Sequence, residues 1–162
     1  MAVVLLKSAP ITTMDSFATV NPYLSSQSPR SAVGQSAVAN GDSIASIYRL
    51  VRIPSNARMD ELNLYCPAIT TCAGSFGLYR TTVDGGAVVS VAFFATAQSL
   101  AAALTGTNIV GLNLYTAALS EKRVWEVLGL TVDPVIYYDV ACTLTAAAAS
   151  AGAIAVKAKW VI

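Results

Sequence analysis

The sequence contains no histidine. Histidine is the commonest general base, a frequent zinc ligand and the usual partner of a catalytic Ser or Cys, so its absence removes most hydrolytic and zinc-dependent sites. Acidic residues stand singly apart from Asp60-Glu61, whose side chains point to opposite faces of a predicted strand. Gly74-Ser-Phe-Gly77 lacks the lysine of a phosphate-binding loop, and no G-x-S-x-G motif occurs. We therefore expect a protein that is not an enzyme and that binds no metal and no cofactor.

Charge is also scarce: only 12% of the residues are charged, whereas 55% are hydrophobic. Soluble domains usually carry about 25% charged residues, which keep the molecules apart in solution. This composition predicts a protein that buries surface against other chains, as a homo-oligomer (a dimer or a trimer) or as part of a shell. A monomer with a surface of Ser, Thr and Ala is the alternative. The net charge is +1 without any basic run, which argues against nucleic-acid binding.

The sequence has no convincing targeting or membrane segment. The first apolar run is too short for a signal peptide, and its Lys7 follows the run instead of preceding it. The uncharged stretch 85–120 contains Gln98, Asn108 and Asn113, which disfavour a membrane helix. We expect no membrane contact.

Three cysteines, Cys66, Cys72 and Cys142, cannot all pair within one chain. A bridge between Cys66 and Cys72 is possible, but an odd number favours reduced thiols in a protein made in the cytoplasm.

Residues 1–41 differ from the rest of the chain. They contain only three charged residues, three prolines and a Ser-rich stretch, without helical periodicity. We interpret them as an extended N-terminal arm that lies on a neighbouring subunit; a flexible tail is the alternative. The arm ends at the turn signal Asn40-Gly41-Asp42, so that the predicted domain spans 42–162.

The domain is rich in patterns typical of strands. Leu62, Leu64 and Cys66 alternate with Asn63 and Tyr65, which predicts a strand with one buried face. The sequence Val83-Asp-Gly-Gly86 is typical of a tight turn between antiparallel strands. In the last thirty residues two alternating segments predict an antiparallel hairpin with Leu144 opposite Ile154 and Asp139 opposite Lys159. Residues 120–129 have the end signals of a short helix, with a strand as the alternative. Weaker strand candidates lie at 109–115 and 129–132. The pattern predicts an all-β fold, an antiparallel two-sheet sandwich, which with eight strands is a jelly roll.

Candidate interaction residues are few. Arg49, Arg52 and Arg58, together with Arg80, are able to line one surface and pair with acidic groups of a partner. Solvated cations that protect strand edges are the alternative. In the arm, Tyr23 and Leu24 are the interface candidates.

Four tyrosines lie within or beside apolar strands: Tyr48, Tyr65, Tyr79 and Tyr115. Packing in the core is the favoured interpretation, and a platform for stacking on sugars is the alternative.

Several segments resemble phage virion proteins. They are Ser46-Ile-Tyr-Arg-Leu-Val-Arg-Ile-Pro-Ser-Asn-Ala57, Asp60-Glu-Leu-Asn-Leu64, Val124-Trp-Glu-Val-Leu-Gly129 with Asp133-Pro134, and the ending that begins Asp139-Val-Ala-Cys-Thr-Leu. The chain from residue 42 onward is similar to the jelly-roll cement proteins that clamp the outer shell of some short-tailed phages, including those of Bordetella.

This resemblance implies a structural protein that decorates the capsid and bridges neighbouring subunits of the major capsid protein. It implies a location on the outer surface of the virion, after synthesis in the host cytoplasm. It carries over no functional residues. The alternative is a carbohydrate- or receptor-binding jelly-roll module of a phage tail fibre.

Overall fold

A computed structural model of the chain describes residues 5–7, 12 and 29–162. Within these residues the strands are β1 (Leu5–Lys7), β2 (Arg30–Val38), β3 (Ile47–Pro54), β4 (Arg58–Cys66), β5 (Ala73–Arg80), β6 (Val88–Ser99), β7 (Leu104–Asn108), β8 (Tyr137–Ala146) and β9 (Gly152–Val161). A 3₁₀ turn covers Ala117–Leu119, and a single-turn helix, α1, covers Val124–Val127.

The strands form two sheets that pack face to face. The first sheet has the order β1-β3-β8-β5-β6 and the second the order β2-β9-β4-β7. From β2 onward successive strands lie in alternate sheets, except for β5 and β6, which pair as a hairpin in the first sheet. β1 pairs in parallel with β3, and every other described pair is antiparallel. This is the strand order of a jelly roll, so the predicted fold class is confirmed.

The core lies between the inner faces of the two sheets. Alternate residues of β8 and β9 point inward and are buried, among them Tyr138, Val140, Ile154 and Val156. Phe93 meets Phe94 edge to face, with 5.0 Å between the ring centroids. Each fully buried side chain of this size contributes about 1.5–3 kcal/mol to stability, so one continuous core supports the sandwich.

The predicted C-terminal hairpin is wrong. β8 pairs with β3 and β5 in the first sheet, whereas β9 pairs with β2 and β4 in the second. The alternation of buried residues was predicted correctly, because strands that face each other across a core show the same pattern as strands that pair edge to edge. Asp139 therefore lies opposite Arg52 and not opposite Lys159.

Part of the predicted arm lies in the sandwich. β2 pairs with β9 along nine consecutive residues, although its inward positions Gly34 and Ser36 are too small to give a hydrophobic alternation. The division into an arm and a domain remains a proposal for the residues before Arg30. Of these, the short strand Leu5–Lys7 is exposed and pairs with β3, and residues 13–28 lie outside the described residues.

The turn and helix signals give mixed results. The predicted turn at 83–86 joins β5 to β6, with positive φ at Gly85 and Gly86. The predicted short helix exists but begins only at Val124, and Gly129 follows it with a φ of 75°. The weaker strand candidates at 109–115 and 129–132 belong instead to a long connection between β7 and β8.

Candidate assembly surface

Two of the candidate interface arginines bind a buried carboxylate. The side chain of Asp139 has no exposed surface. Arg52 donates from Nε to Asp139 Oδ1 at 2.7 Å and from Nη2 to Oδ2 at 3.2 Å. Arg49 donates from Nη1 to the same Oδ2 at 3.1 Å. The arrangement is an internal ion cluster in which two cations surround one anion.

Arg49 also ties together three parts of the first sheet. It donates at 2.7 Å to the carbonyl oxygen of Arg80 and at 2.7 Å to that of Gly86, and its guanidinium lies 5.2 Å from the centre of the Tyr79 ring. Together with the bond to Asp139, these contacts join β3 to β5, to β8 and to the β5–β6 turn. Arg49 therefore acts mainly inside the domain.

The remaining interface candidates are placed differently. Arg58 is half-buried at the start of β4, and its Nε is buried with no hydrogen-bond partner. Tyr23 and Leu24 lie outside the described residues. An interface role for these residues and for Arg49 and Arg52 remains a prediction.

Burial raises the pKa values of the three cysteines and of Tyr48. Cys66, Cys72 and Cys142 are free thiols, as the odd number of cysteines predicted, and burial raises the pKa of Cys72 to about 11. Tyr48 donates to Asp42 Oδ2 at 2.5 Å, and burial, together with this carboxylate, raises the pKa of Tyr48. These groups hold their protons at neutral pH, so they supply no nucleophile.

In the part of the chain that the structure describes, no cluster of three or more Cys, Asp or Glu residues is arranged to hold a metal ion. Within that part, no helix has the length and apolar character needed to span a membrane.

Among the residues that the structure describes, the tyrosines do not form a stacking platform. Tyr48, Tyr79 and Tyr115 are buried, as core packing requires. Tyr65 is 40% exposed on β4 and Tyr137 is 42% exposed on β8, so these two tyrosines lie in different sheets. Two rings on opposite sides of a sandwich do not stack on one sugar.

One end of the sandwich carries a clamped loop. We call it the Ser55 end, where β3 passes into β4 and β8 begins. Ser55 donates from Oγ to Asp133 Oδ1 at 2.5 Å. Asp133 Oδ1 also accepts a hydrogen bond from the backbone N–H of Val135 at 2.9 Å. The Ser55 N–H donates to the Ile136 carbonyl at 2.8 Å, and the Leu130 N–H donates to the Trp125 carbonyl at 3.1 Å. These bonds hold residues 129–136, the tip loop, in one conformation.

The tip loop presents apolar side chains to solvent. Val132 is 73% exposed and Val135 is 84% exposed, and Leu130 and the adjoining Tyr137 are also exposed. Val135 has a φ of 51°, a left-handed conformation that a β-branched residue rarely adopts. Such a conformation costs about 1–3 kcal/mol and persists only where the surroundings impose it. Here the hydrogen bonds of Asp133 and Ser55 impose it.

Unpartnered hydrogen-bond donors gather at the same end. Among the described residues, five buried side-chain nitrogens have no hydrogen-bond partner, and all of them are donors: Arg30 Nη2, Arg58 Nε, Arg123 Nε, Trp125 Nε1 and Trp160 Nε1. Arg30 is paired with Trp160 at the start of β2, and Trp160 is paired with Met59 near the start of β4. Arg123 and Trp125 lie at α1, where the backbone N–H of Trp125 donates to the backbone carbonyl of Ser55 at 3.1 Å.

Sequence reasoning missed this surface. The segment 129–132 was predicted as a weak strand, because its alternating Leu130 and Val132 match the pattern of a half-buried strand. The one local signal was Asp133-Pro134, a pair typical of turns. Exposure of an apolar residue depends on which other segment covers it, and no local pattern encodes that.

Comparisons with known proteins were made at the level of family, sequence and structure. No family model matches the chain, and no curated protein matches it. Solved structures with a similar fold include a chain from "Capsid of Ralstonia phage GP4", with a TM-score of 0.61 and 15% identity over 98% of this chain and 97% of that chain. They also include a chain from "Cyanophage Pam1 capsid asymmetric unit", with a TM-score of 0.54 and 12% identity over 89% of this chain and 91% of that chain. At these identities the likeness establishes the fold.

Proposed function

We propose that this chain is a structural protein of a phage virion, and that it decorates the outer surface of the capsid by bridging neighbouring major capsid subunits. The observation that carries the proposal is the end-to-end match, over 98% of this chain and 97% of the other, to a chain in a capsid of Ralstonia phage GP4. The correspondence covers the whole chain and not one module. Fold alone does not establish function, so the surface has to support the proposal as well.

The surface fits a role in assembly. Among the described residues fourteen large apolar side chains are exposed, and six of them lie between Leu112 and Tyr137. Charged residues make up only 12% of the sequence. A surface of this kind gains stability when it is covered by another chain. The proposed partners are the major capsid protein and further copies of this chain, as a dimer or a trimer.

The proposed mechanism is mechanical. The Asp139 ion cluster joins neighbouring strands of the first sheet. Contacts at separate points of the surface hold neighbouring capsid subunits at a fixed spacing. Each contact adds buried area that must be lost before the shell opens under the pressure of the genome. The proposed site of synthesis is the host cytoplasm.

A carbohydrate- or receptor-binding module of a tail fibre is the competing function. That function needs exposed aromatic rings on one concave surface. Tyr65 and Tyr137 are exposed on different sheets, which favours assembly over sugar binding.

The test is to locate the chain in purified virions. We expect mass spectrometry to find it at a copy number comparable with that of the major capsid protein, and cryo-electron microscopy to show jelly-roll density on the outer face of the shell. Light scattering of the isolated protein measures the oligomer. Absence from the virion, or density confined to the tail, would overturn the proposal, and the second result would support the tail-fibre function.

A further inference from the structure

We propose that Asn40 is a site of spontaneous covalent modification in the folded protein, where its side-chain amide reacts with the backbone nitrogen of Gly41, loses ammonia and is hydrolysed to aspartate and isoaspartate. Asn40 lies in the connection from β2 to β3, and Asn40-Gly41 is the single Asn-Gly pair of the sequence. The modification is independent of the proposed role in the capsid.

Gly41 leaves the space that the reaction needs. The reaction brings the Gly41 nitrogen against Cγ of Asn40, and a side chain on the second residue of the pair obstructs this approach. Gly41 has no side chain, its φ is 91°, and a Cβ added to it would meet no atom of the surrounding chain within 4 Å. The two reacting groups are therefore not separated by packing.

The side chain of Asn40 is free to move towards that nitrogen. Asn40 is exposed, and its amide forms no hydrogen bond with any part of the chain that the structure describes. Other asparagines are held in place. Asn63 donates to Glu61, Asn108 accepts from the Leu62 N–H, and Asn113 donates to the Ala92 carbonyl. An amide that is not held is able to sample the conformation from which the ring closes.

Two backbone hydrogen bonds of the turn oppose the reaction. The Gly41 N–H donates to the carbonyl oxygen of Ala148 at 2.8 Å, and the Asp42 N–H donates to that of Ala39 at 3.2 Å. The Gly41 nitrogen has to give up its proton before it attacks, so the turn must open first. Exposed turns open far more readily than the strands of a core. We therefore expect the reaction to proceed in the folded protein at a rate that turn opening determines.

The reaction balances with water as the one further reactant. The Gly41 nitrogen bonds to Asn40 Cγ, the Cγ–Nδ2 bond breaks, and ammonia leaves with the proton that the backbone nitrogen has lost. The product is a five-membered cyclic imide. Water then adds to one of the two carbonyl carbons of the imide. Addition at Cγ gives aspartate with the original main chain, and addition at the backbone carbonyl carbon gives isoaspartate, whose main chain runs through Cγ.

The products disturb the junction of β2 with the rest of the sandwich. Asp42 is buried there, and its Oδ2 accepts from the Ala39 N–H at 2.8 Å and from the Tyr48 hydroxyl at 2.5 Å. The imide has no Gly41 N–H, so the hydrogen bond to Ala148 is lost. Isoaspartate restores this N–H but adds a methylene group to the main chain, which displaces Asp42 from its partners.

The experiment is incubation of the purified full-length protein at neutral pH, followed by tryptic digestion and mass spectrometry. Cleavage after Arg30 and Arg49 releases a peptide whose single asparagine is Asn40. We expect this peptide to gain about 1 Da with time, and isoaspartyl methyltransferase to label the isoaspartate fraction. Asn56 is the internal control, because Ala57 follows it. We expect the peptide that contains Asn56 to keep its mass over the same period.

The matched variant is Asn40→Gln. Glutamine keeps the amide but places its carbon one bond farther from the main chain, so that closure to the six-membered ring is slow. We expect this variant to keep its mass and its melting temperature on incubation, whereas the parent melts at a lower temperature after incubation than before. Hydrogen exchange at 39–46 should become faster in the incubated parent and stay unchanged in the variant.

Three results would contradict the proposal or part of it. If Asn40 keeps its mass in the folded protein but gains it in urea, the turn protects the pair and the proposed site is wrong. If Asn56 gains mass as fast as Asn40, neither the glycine nor the free side chain selects the site, and the proposal is wrong. If Asn40 is modified while melting and hydrogen exchange stay unchanged, the site stands and its effect on the β2 junction is wrong.

Discussion

Asp139 is a carboxylate without exposed surface, held between two arginines of β3. Removing its charge leaves two guanidinium groups in a region that water does not reach well. Breaking a buried pair by removing one partner costs about 3–5 kcal/mol, because the remaining charge is uncompensated. We therefore expect Asp139→Asn, which preserves the volume, to lower the free energy of unfolding by about this amount, measured by denaturant titration.

The matched control is Glu61→Gln. Glu61 pairs with Lys159 at 2.9 Å, but a third of each side chain is exposed, so solvent already screens this pair. We expect the free energy of unfolding of this variant to equal that of the parent. If Asp139→Asn also has the same free energy of unfolding as the parent, the ion cluster contributes nothing to stability.

The raised pKa of Cys72 predicts that the folded protein loses stability at alkaline pH. Burial raises its pKa from 9.0 to about 11 in the folded protein. The folded state therefore holds the thiol proton more tightly than the unfolded state does. The stability from this group is fully present below pH 9 and is lost as the pH rises towards 11. The raised pKa values of Cys142 and Tyr48 act in the same direction.

We expect the melting temperature to fall steadily from pH 9 to pH 11. Calorimetry across this range measures it. Cys72→Ala should be less stable at neutral pH but should lose less stability on going to alkaline pH. A parent protein as stable at pH 11 as at pH 8 would mean that these groups are not buried in solution.

The fate of the arginines shows what residue patterns encode. The β-bulge between Arg49 and Val51 places Arg49 and Arg52 on the same face of their sheet. Strand alternation predicts opposite faces for residues three positions apart. It does not predict that Asp139, about ninety positions later in the chain, lies beside them, because that contact depends on which strands pair. The sequence therefore predicts neither the bulge nor the strand pairing that brings Asp139 beside the two arginines.

Among the elements, β2 depends on one close approach. A Cβ on Gly34 would lie 1.8 Å from the carbonyl oxygen of Leu50 and 3.0 Å from a methyl group of Val51, both on β3. Backbone atoms of a paired strand cannot yield, so Gly34→Ala has to push β2 off the sandwich. We expect a loss of about 1–3 kcal/mol or more in the free energy of unfolding. Amide exchange in Arg30–Val38 should become faster.

Ser31→Ala is the control on the same strand, since Ser31 is exposed and its change leaves the backbone in place. Hydrogen exchange measured by mass spectrometry resolves the strand from its neighbours. Unchanged protection of β2 in Gly34→Ala would mean that β2 and β3 lie farther apart in solution.

Element pairing is the part of the fold that the sequence predicts least. The strand segments, the turn before β6 and the inward faces of β8 and β9 follow from alternation and turn chemistry. The hairpin error arose because burial patterns do not distinguish two strands in one sheet from two strands in facing sheets. The β2 strand was assigned to the arm because Gly34 and Ser36, the residues that allow close packing, give no hydrophobic signal.

At the scale of the whole molecule, the boundary between arm and sandwich is tested by two truncations. A chain that lacks residues 1–28 loses, among the described elements, only the three exposed residues of β1. We expect it to melt close to the parent. A chain that lacks residues 1–40 also loses β2, which pairs with nine residues of β9 and covers one edge of the second sheet. We expect this chain to melt far lower or not to fold.

Assembly should respond differently from stability. The part of the arm between β1 and β2 is proposed to lie on a neighbouring subunit. Because β1 pairs with β3 of the same chain, this segment of about twenty residues is held at both ends and reaches outward by at most about 35 Å. Removing residues 1–28 should therefore weaken oligomerisation or shell binding in a subunit that is still folded. Circular dichroism gives the melting temperature and light scattering gives the mass of the assembly. If the chain without residues 1–28 assembles as well as the parent, the arm makes no contact between subunits. If the chain without residues 1–40 melts like the parent, β2 is not integral to the sandwich.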